Sequence, residues 1–294
     1  IMINKFITFI SKKILWKLSR PVSSLLFLTH KISYKDPFGN KPLTNKISDY
    51  DDNFERSVSL IDHDITKNKI FLKHKPNITF IKKLAYTLQN VLKKTKNSYV
   101  HGFVIYSYLS EYLDSYFESK TNESKQINIV DIGTARGFSS LCLAKALQDK
   151  RKSGKIFTFD ILPNRTSFFW NSHTDISQGP LNRIQLLEPW KELVDNYLIF
   201  FSTATFNSLK VVDIPKINFA FIDGSHFYKD VIFEINYLIG KLTKVSIIIF
   251  DDYDRELFPG VVKACDYLVS LDKHSSFELI NIQNDRKLAV FKFG

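Results

Sequence analysis

Three features of the 294-residue sequence predict an α/β fold, a doubly wound, seven-stranded, mostly parallel sheet behind an N-terminal helical extension. Short apolar runs alternate with helical segments from Ile127 onward, the pattern of a parallel sheet covered on both faces. The first run ends in an acid and opens a glycine-bearing turn, I-N-I-V-D-I-G-T-A-R-G-F-S-S over Ile127–Ser140. The last two runs, Phe277–Ile282 and Lys287–Phe293, are joined by Gln283-Asn284-Asp285, too short for a crossover, so they form an antiparallel hairpin.

In chain order, Ile3, Phe6, Ile7, Ile10, Ile14 and Leu18 recur at helical spacing, while Lys5, Lys12 and Lys13 fall mostly off that stripe. This amphipathic helix either lies on a membrane surface or packs on its own domain or a twin subunit. The run Leu25–Leu28 is too short for a bilayer, which takes ~20 residues. No small-residue cleavage site marks a secretory signal, so the expected location is cytoplasmic, with peripheral membrane contact through the first helix as the variant. Lys31–Asn53, with Pro37, Gly39 and Pro42, reads as a loop or linker. Helices over Phe80–Lys94 and Val100–Phe117 form a helical cap. The expected division is an extension over residues 1–96 and an α/β domain over 97–294.

The parallel strands fall at Ile127–Ile132, Ile156–Ile161, Leu198–Ser202, Ile217–Ile222 and Val245–Phe250. Helices lie between and after them at Ser139–Lys150, Asn182–Asp195, Phe206–Val211, Tyr228–Leu242 and Val261–Leu271.

The length and the 44% hydrophobic, 24% charged composition suit a globular chain with a full core. Residues 1–126 hold 21 Lys and Arg against 11 Asp and Glu, which is +10 of the net +11. A basic leader of this kind meets anionic lipid, nucleic acid or an acidic substrate, or is a solvated lysine-rich surface. Cys142 and Cys265 sit in apolar helical segments and read as small buried residues in a reducing compartment. No C-x-x-C pair or His/Cys cluster is available for zinc.

The turn holding Gly133 and Gly137 joins a strand to a helix N-terminus, where bare N–H groups receive a ligand's polar atoms. Asp160 ends the second strand 23 residues after Gly137, where an acid takes ribose hydroxyls, although an acid at a strand end is common. Asp223 ends the fourth strand and Asp251-Asp252 the fifth, and neighbouring strands lie ~4.8 Å apart, so three carboxylates converge at the ligand-binding edge of the sheet. Such a trio repels unless a cation sits among it, and oxygen ligands suit Mg²⁺; the plainer alternative is that these acids cap helices or meet lysines. His226, three residues beyond Asp223, faces the same pocket, and an imidazole's ordinary range suits taking a proton from a hydroxyl.

The set D-I-G-T-A-R-G, F-I-D-G-S-H-F-Y-K-D-V and F-D-D-Y followed by F-P-G-V-V-K-A resembles class I S-adenosylmethionine-dependent methyltransferases. More narrowly it resembles the macrolide-sugar O-methyltransferases of the macrocin and mycinamicin type, over roughly Val100 to Gly294. The resemblance implies a Rossmann-like methyltransferase fold with an antiparallel seventh strand. It implies that Gly133, Thr134, Ala135 and Gly137, with Asp131 beside them, lie along the methionine moiety and that Asp160 takes the ribose hydroxyls. It also implies that Asp223, Asp251 and Asp252 hold Mg²⁺, with Asp223 also beside the cofactor, and that His226 is the base. The acceptor would be a small hydroxylated molecule such as a sugar, and a homo-oligomer is compatible with this reading.

Two departures stand out: Ala135 replaces the middle glycine of the turn, and F-S-T-A-T after the third strand lacks the acid that often meets the adenine amino group. The insertion Pro163–Trp190 either covers the site, with its aromatics, His173, Asp175 and Arg183 recognising the acceptor, or is a rigid loop anchored by Phe168, Phe169 and Trp170. The rival readings are a metal-independent methyltransferase on another acceptor and a non-catalytic binding protein on the same fold. A nucleic-acid acceptor has no N-P-P-Y-like tetrad or aromatic RNA-binding motif to support it.

Overall fold

The computed structural model describes residues 37–67, 72–93, 97–118, 126–283 and 286–294. The amphipathic stripe Ile3–Leu18 and the run Leu25–Leu28 lie outside the described residues. Three helices precede the sheet: α1 (Ile47–Lys67), α2 (Ile78–Leu88) and α3 (Val100–Glu118). The first third of α1, residues 47–53, falls where the sequence reads as a loop. Its Asn, Asp and Ser residues favour turns, but Asp49 in the first turn suits the positive end of a helix, and Tyr50 and Ser57 are buried. Asn77 caps α2 by accepting a hydrogen bond from the Phe80 N–H at 3.1 Å.

The α/β part follows as β1 (Ile127–Ile132), α4 (Phe138–Asp149), β2 (Gly154–Asp160), α5 (Thr174–Gln178), α6 (Arg183–Leu186), a 3-10 turn (Glu188–Trp190), α7 (Lys191–Tyr197), β3 (Leu198–Ser202) and α8 (Thr205–Ser208). It continues as β4 (Ile217–Ile222), α9 (Tyr228–Lys241), β5 (Leu242–Phe250), α10 (Pro259–Ser270), β6 (Ser276–Gln283) and β7 (Arg286–Phe293). The continuous helix expected over Asn182–Asp195 is broken into three pieces, because Pro189 sits inside it without an N–H to donate.

The seven strands stand in the order β3-β2-β1-β4-β5-β7-β6. The first five pair in parallel, and β7 runs antiparallel to both β5 and β6. This is the doubly wound, mostly parallel sheet that the sequence predicts.

Alternation along the strands divides the core in two. Ile129, Phe219, Phe221 and Ile249 face a cluster that includes Ile81, Leu84 and Leu88 of α2, Val104 and Leu109 of α3, and Leu141 of α4. Their neighbours Val130, Ala220, Ile222, Ile248 and Phe250 face Val231 and Ile235 of α9 and Val261, Cys265 and Leu268 of α10. Each large apolar side chain buried this way contributes about 1.5–3 kcal/mol. The helices before β1 therefore share a core with the sheet. Both cysteines are buried and free. Among the described residues no helix is long and apolar enough to cross a membrane.

The register sets the site. Ile132 is level with Ile222, and Ile222 with Phe250, so β1, β4 and β5 end together. Two further backbone bonds carry the ladder one residue on, from Asp223 N–H to Ile132 O at 2.8 Å and from Asp251 N–H to Ile222 O at 2.9 Å. Gly133, Asp223 and Asp251 consequently form one row along the C-terminal edge, where open α/β sheets bind ligands.

Candidate active site

The turn after β1 is pinned from below. The N–H groups of Gly133 and Thr134 both donate to Phe159 O, at 2.8 and 3.2 Å. Gly133 has φ +95°, and a Cβ built on it would lie 1.9 Å from the carbonyl oxygen of Asp223. Only glycine lets β1 and β4 close to this distance. Ala135 takes a left-handed φ of 44°, and Gly137 follows at 93°, so the departure from the usual glycine is accommodated in the conformation a glycine would adopt.

The acids divided between cofactor and metal in the sequence reading have different surroundings. Asp131 is fully buried beneath the turn, where it accepts hydrogen bonds from the Ser139 and Ser140 hydroxyls in the first turn of α4. Burial pushes its carboxyl up to about 6, against the opposing pull of those hydroxyls. It shapes the turn from behind. Thr134 is likewise buried, with its hydroxyl bonded to that of Thr158.

Asp160 stays at the end of β2 beside the turn. One oxygen accepts from Leu162 N–H at 2.7 Å, and the other accepts from Ala135 N–H and lies 3.4 Å from Arg183 Nη2. A carboxylate has about four lone-pair directions, and the two N–H donors use two of them, which leaves room for a further donor beside Arg183.

At the ends of β4 and β5, Asp223, His226 and Asp252 each bring one ligand-capable atom within 4.8 Å of the others. His226 Nε2 is 2.9 Å from Asp252 Oδ2, and the ring stacks on Phe258 at 4.3 Å. Gly260, in the first turn of α10, permits this packing, because a Cβ there would lie 2.3 Å from the carbonyl oxygen of His226. Asp252 itself takes a left-handed φ of 55°, a conformation that Asp tolerates better than most residues with a Cβ.

Asp251, expected to share a metal with its neighbours, lies at the same corner but is committed to another partner. Its side chain has no exposed surface and is gripped by Arg286, with Nε donating to Oδ1 at 3.0 Å and Nη2 to Oδ2. The Asp252 N–H also donates to Asp251 Oδ1 at 2.7 Å. Arg286 Nε also lies 3.1 Å from Asp252 Oδ1.

Charge follows this geometry. Burial holds Asp223 well above the usual carboxylate range, and Asp251 beside it adds to that. Burial also raises Asp251, though Arg286 opposes the rise. For Asp252 burial is outweighed by the bond from His226 and by Arg286, so its carboxyl is held low.

Two residues that sequence reasoning did not single out belong here. Arg286 opens β7 beside a turn, where an arginine reads as a surface residue; only the strand order reveals it. His101 of α3 is 3% exposed, lies parallel to Phe221 at 6.2 Å and edge-on to Phe138 at 5.0 Å, and has no partner for Nδ1. Burial, followed by the charge of Arg286, pushes its pKa down to about 3.

The insertion after β2 turns out to be anchored from within. Phe168 and Trp170 are buried with ring centroids 4.3 Å apart, and the Trp170 indole donates to Leu181 O at 2.8 Å. Asp175 accepts from the N–H groups of Trp170 and Ser172, His173 packs on Tyr86 at 4.4 Å, and Arg183 donates to Ala135 O at 2.8 Å. Arg136 reaches back from the turn to Trp170 O. These side chains brace the glycine turn, which is the rigid-loop alternative.

The donor set suits a divalent ion. The carboxylates of Asp223 and Asp252 are appropriate oxygen ligands for Mg²⁺ or Mn²⁺, with His226 beside them and Asp251 already spoken for by Arg286. A small recess of about 10 Å³, the size of a single water site, lies beside them, lined by Asp223, Ser225, His226 and Asp251 among others.

Residues 130–253 match a family model described as a methyltransferase domain. The O-methyltransferase NovP superposes with a TM-score of 0.51 at 14% identity, covering 73% of this chain and 98% of NovP. An O-methyltransferase from Bacillus cereus, solved in complex with SAH, gives a TM-score of 0.51 at 13% identity and covers 81% of this chain and 99% of that one. In sequence the chain matches no curated protein. The seven-stranded, mostly parallel sheet superposes on these structures, and the region matched by the family model contains the glycine turn, Asp160, Asp223, His226, Asp251 and Asp252. The chain therefore carries a methyltransferase domain, set in a seven-stranded, Rossmann-like methyltransferase fold.

Proposed function

We propose that the chain is an S-adenosylmethionine-dependent O-methyltransferase acting on a hydroxyl of a small polar acceptor such as a sugar. The observation that carries this reading is the juxtaposition of Gly133 and Asp223, in backbone contact across β1 and β4, with the Asp252–His226 pair on the neighbouring turn. The glycine turn and the acid-base pair thereby share one corner of the sheet edge.

In this reading Gly133, Thr134, Ala135 and Gly137 shape the cradle for the methionine moiety, Asp131 supports it from below, and Asp160 uses its remaining lone pair on a ribose hydroxyl. S-adenosylmethionine, when bound, supplies an electrophilic methyl group on a sulfonium. His226 accepts the acceptor's hydroxyl proton as the oxygen-to-methyl bond forms and the sulfur-to-methyl bond breaks, leaving S-adenosylhomocysteine and the methyl ether. Asp252, bonded to Nε2, holds the ring in one orientation and stabilises the imidazolium that results. Asp223 and Asp252, with His226 beside them, would hold Mg²⁺, which lowers the pKa of a bound hydroxyl. Alignment of oxygen, methyl and sulfur accounts for much of the remaining rate.

Metal-independent transfer is the second reading, favoured by Arg286, which already places a positive charge among the acids. Release of S-adenosylhomocysteine from S-adenosylmethionine, followed across a panel of hydroxylated small molecules with Mg²⁺ and with chelator, tests both. Acceptor-dependent release lost in chelator supports the metal-assisted reading, and full activity in chelator supports the other. No release with any acceptor, together with no cofactor binding, would leave a binding protein on this fold.

A further inference from the structure

Three carboxylates meet at one corner of this sheet, and the chain supplies its own cation to them. Phe250 pairs with Ala289 across β5 and β7, and Tyr253 N–H donates to Lys287 O at 3.0 Å, so the antiparallel hairpin delivers Arg286 to the same edge from the opposite direction. Its planar fork takes both oxygens of Asp251 and one of Asp252. The other oxygen of Asp252 faces His226. Asp252 is thus shared, with its Oδ1 on the arginine side and its Oδ2 on the side of Asp223 and His226.

We propose that Arg286 is a positioning residue that partitions this acid cluster: it occupies the Asp251 side as a built-in cation, confines a divalent ion to the side of Asp223, His226 and Asp252, and so sets the ion affinity of the site below that of the three free carboxylates. The inference rests on the reading of this corner as an ion-assisted methyl-transfer site. Two physical consequences follow. A guanidinium within 3.1 Å of a ligand carboxylate repels an approaching divalent cation, and it removes Asp251 from the ligand set altogether. Arg286 also holds Asp252 by one oxygen so that the other remains turned to His226, an orientation the left-handed turn at Asp252 alone leaves free to rotate about the side-chain bonds.

Mn²⁺ binding, measured on the full chain by titration calorimetry without cofactor or acceptor, tests this directly. The proposal expects weak one-site binding by the wild type, at least tenfold tighter binding by Arg286→Gln as Asp251 joins the ligand set, and wild-type weakness restored in Asp251→Asn/Arg286→Gln. Asp252→Asn should abolish binding in every background. Because Arg286→Gln leaves Asp251 buried without its partner, Arg286→Lys serves where the glutamine variant does not fold: it keeps a charge, loses the fork, and should bind Mn²⁺ more tightly than wild type. Equal or weaker Mn²⁺ binding by a folded Arg286 variant, with wild-type binding that depends on Asp252, overturns the partition while leaving the ion-assisted reading intact. Absence of Mn²⁺ binding in the wild type and in all Arg286 variants overturns both.

Discussion

His226 Nε2 lies 2.9 Å from Asp252 Oδ2, on a turn that closes only because Gly260 lets α10 approach the His226 carbonyl. The pair resembles a general base with its orienting carboxylate. His226→Ala should slow methyl transfer by about 10²–10⁴-fold, and Asp252→Asn by about 10–100-fold. Affinity for S-adenosylhomocysteine, measured by calorimetry, should stay within about threefold of wild type in His226→Ala, since the ring is 43% exposed and supports little else. Unchanged turnover in either variant would remove the pair from the chemistry.

Gly133→Ala tests the row that brings the turn to the acids. The added methyl group would meet Asp223 O at 1.9 Å, and alanine at φ +95° is itself strained. A loss of at least about 3 kcal/mol is expected, or a fall in Tm on the order of 10 °C by thermal melting. A variant with wild-type stability would mean that β1 and β4 do not end in this register.

Much of this framework is legible in the sequence, and what is missed has a physical cause. The apolar runs of β1 and β4 announce themselves because both faces are covered, so every residue is hydrophobic or tied by hydrogen bonds. The glycine turn, Asp160, Asp223 and His226 are local features and are found where their spacing places them. Arg286 escapes notice because its partners lie on another strand, 35 residues away, and nothing local distinguishes it from a solvated turn residue. Asp251 and Asp252 look equivalent in a D-D-Y motif, yet past the end of β5 Asp251 gives both oxygens to Arg286, whereas Asp252, at a left-handed turn, divides its two between Arg286 and His226. The first third of α1 is hidden by turn-favouring residues that tertiary contacts override, with Asn90 donating to Tyr50 O at 2.8 Å from beyond the end of α2.

Glu234 offers a pH test away from the site. It is buried on α9 with Oε1 bonded by Thr205 at 2.6 Å and Oε2 without a partner. Burial raises its pKa from 4.5 to about 7, with the Thr205 bond opposing and Asp230 adding. A carboxyl whose folded pKa is raised favours the folded protein fully below its unfolded value, and that contribution is lost as pH rises through about 7. Glu234→Gln should remove this loss, so its stability in urea relative to wild type should improve between pH 4.5 and 8 by on the order of 3 kcal/mol. A difference between the two proteins that does not change with pH would show that Glu234 titrates normally.

The titration of S-adenosylhomocysteine into the wild type and into Asp160→Ala tests the central claim most directly, because it asks whether the turn between β1 and α4 holds the cofactor and requires no knowledge of the acceptor. One-site binding by the wild type, weakened at least about tenfold, or 1.4 kcal/mol, in folded Asp160→Ala is the predicted result. No binding by the wild type, or equal binding by both proteins, would contradict it.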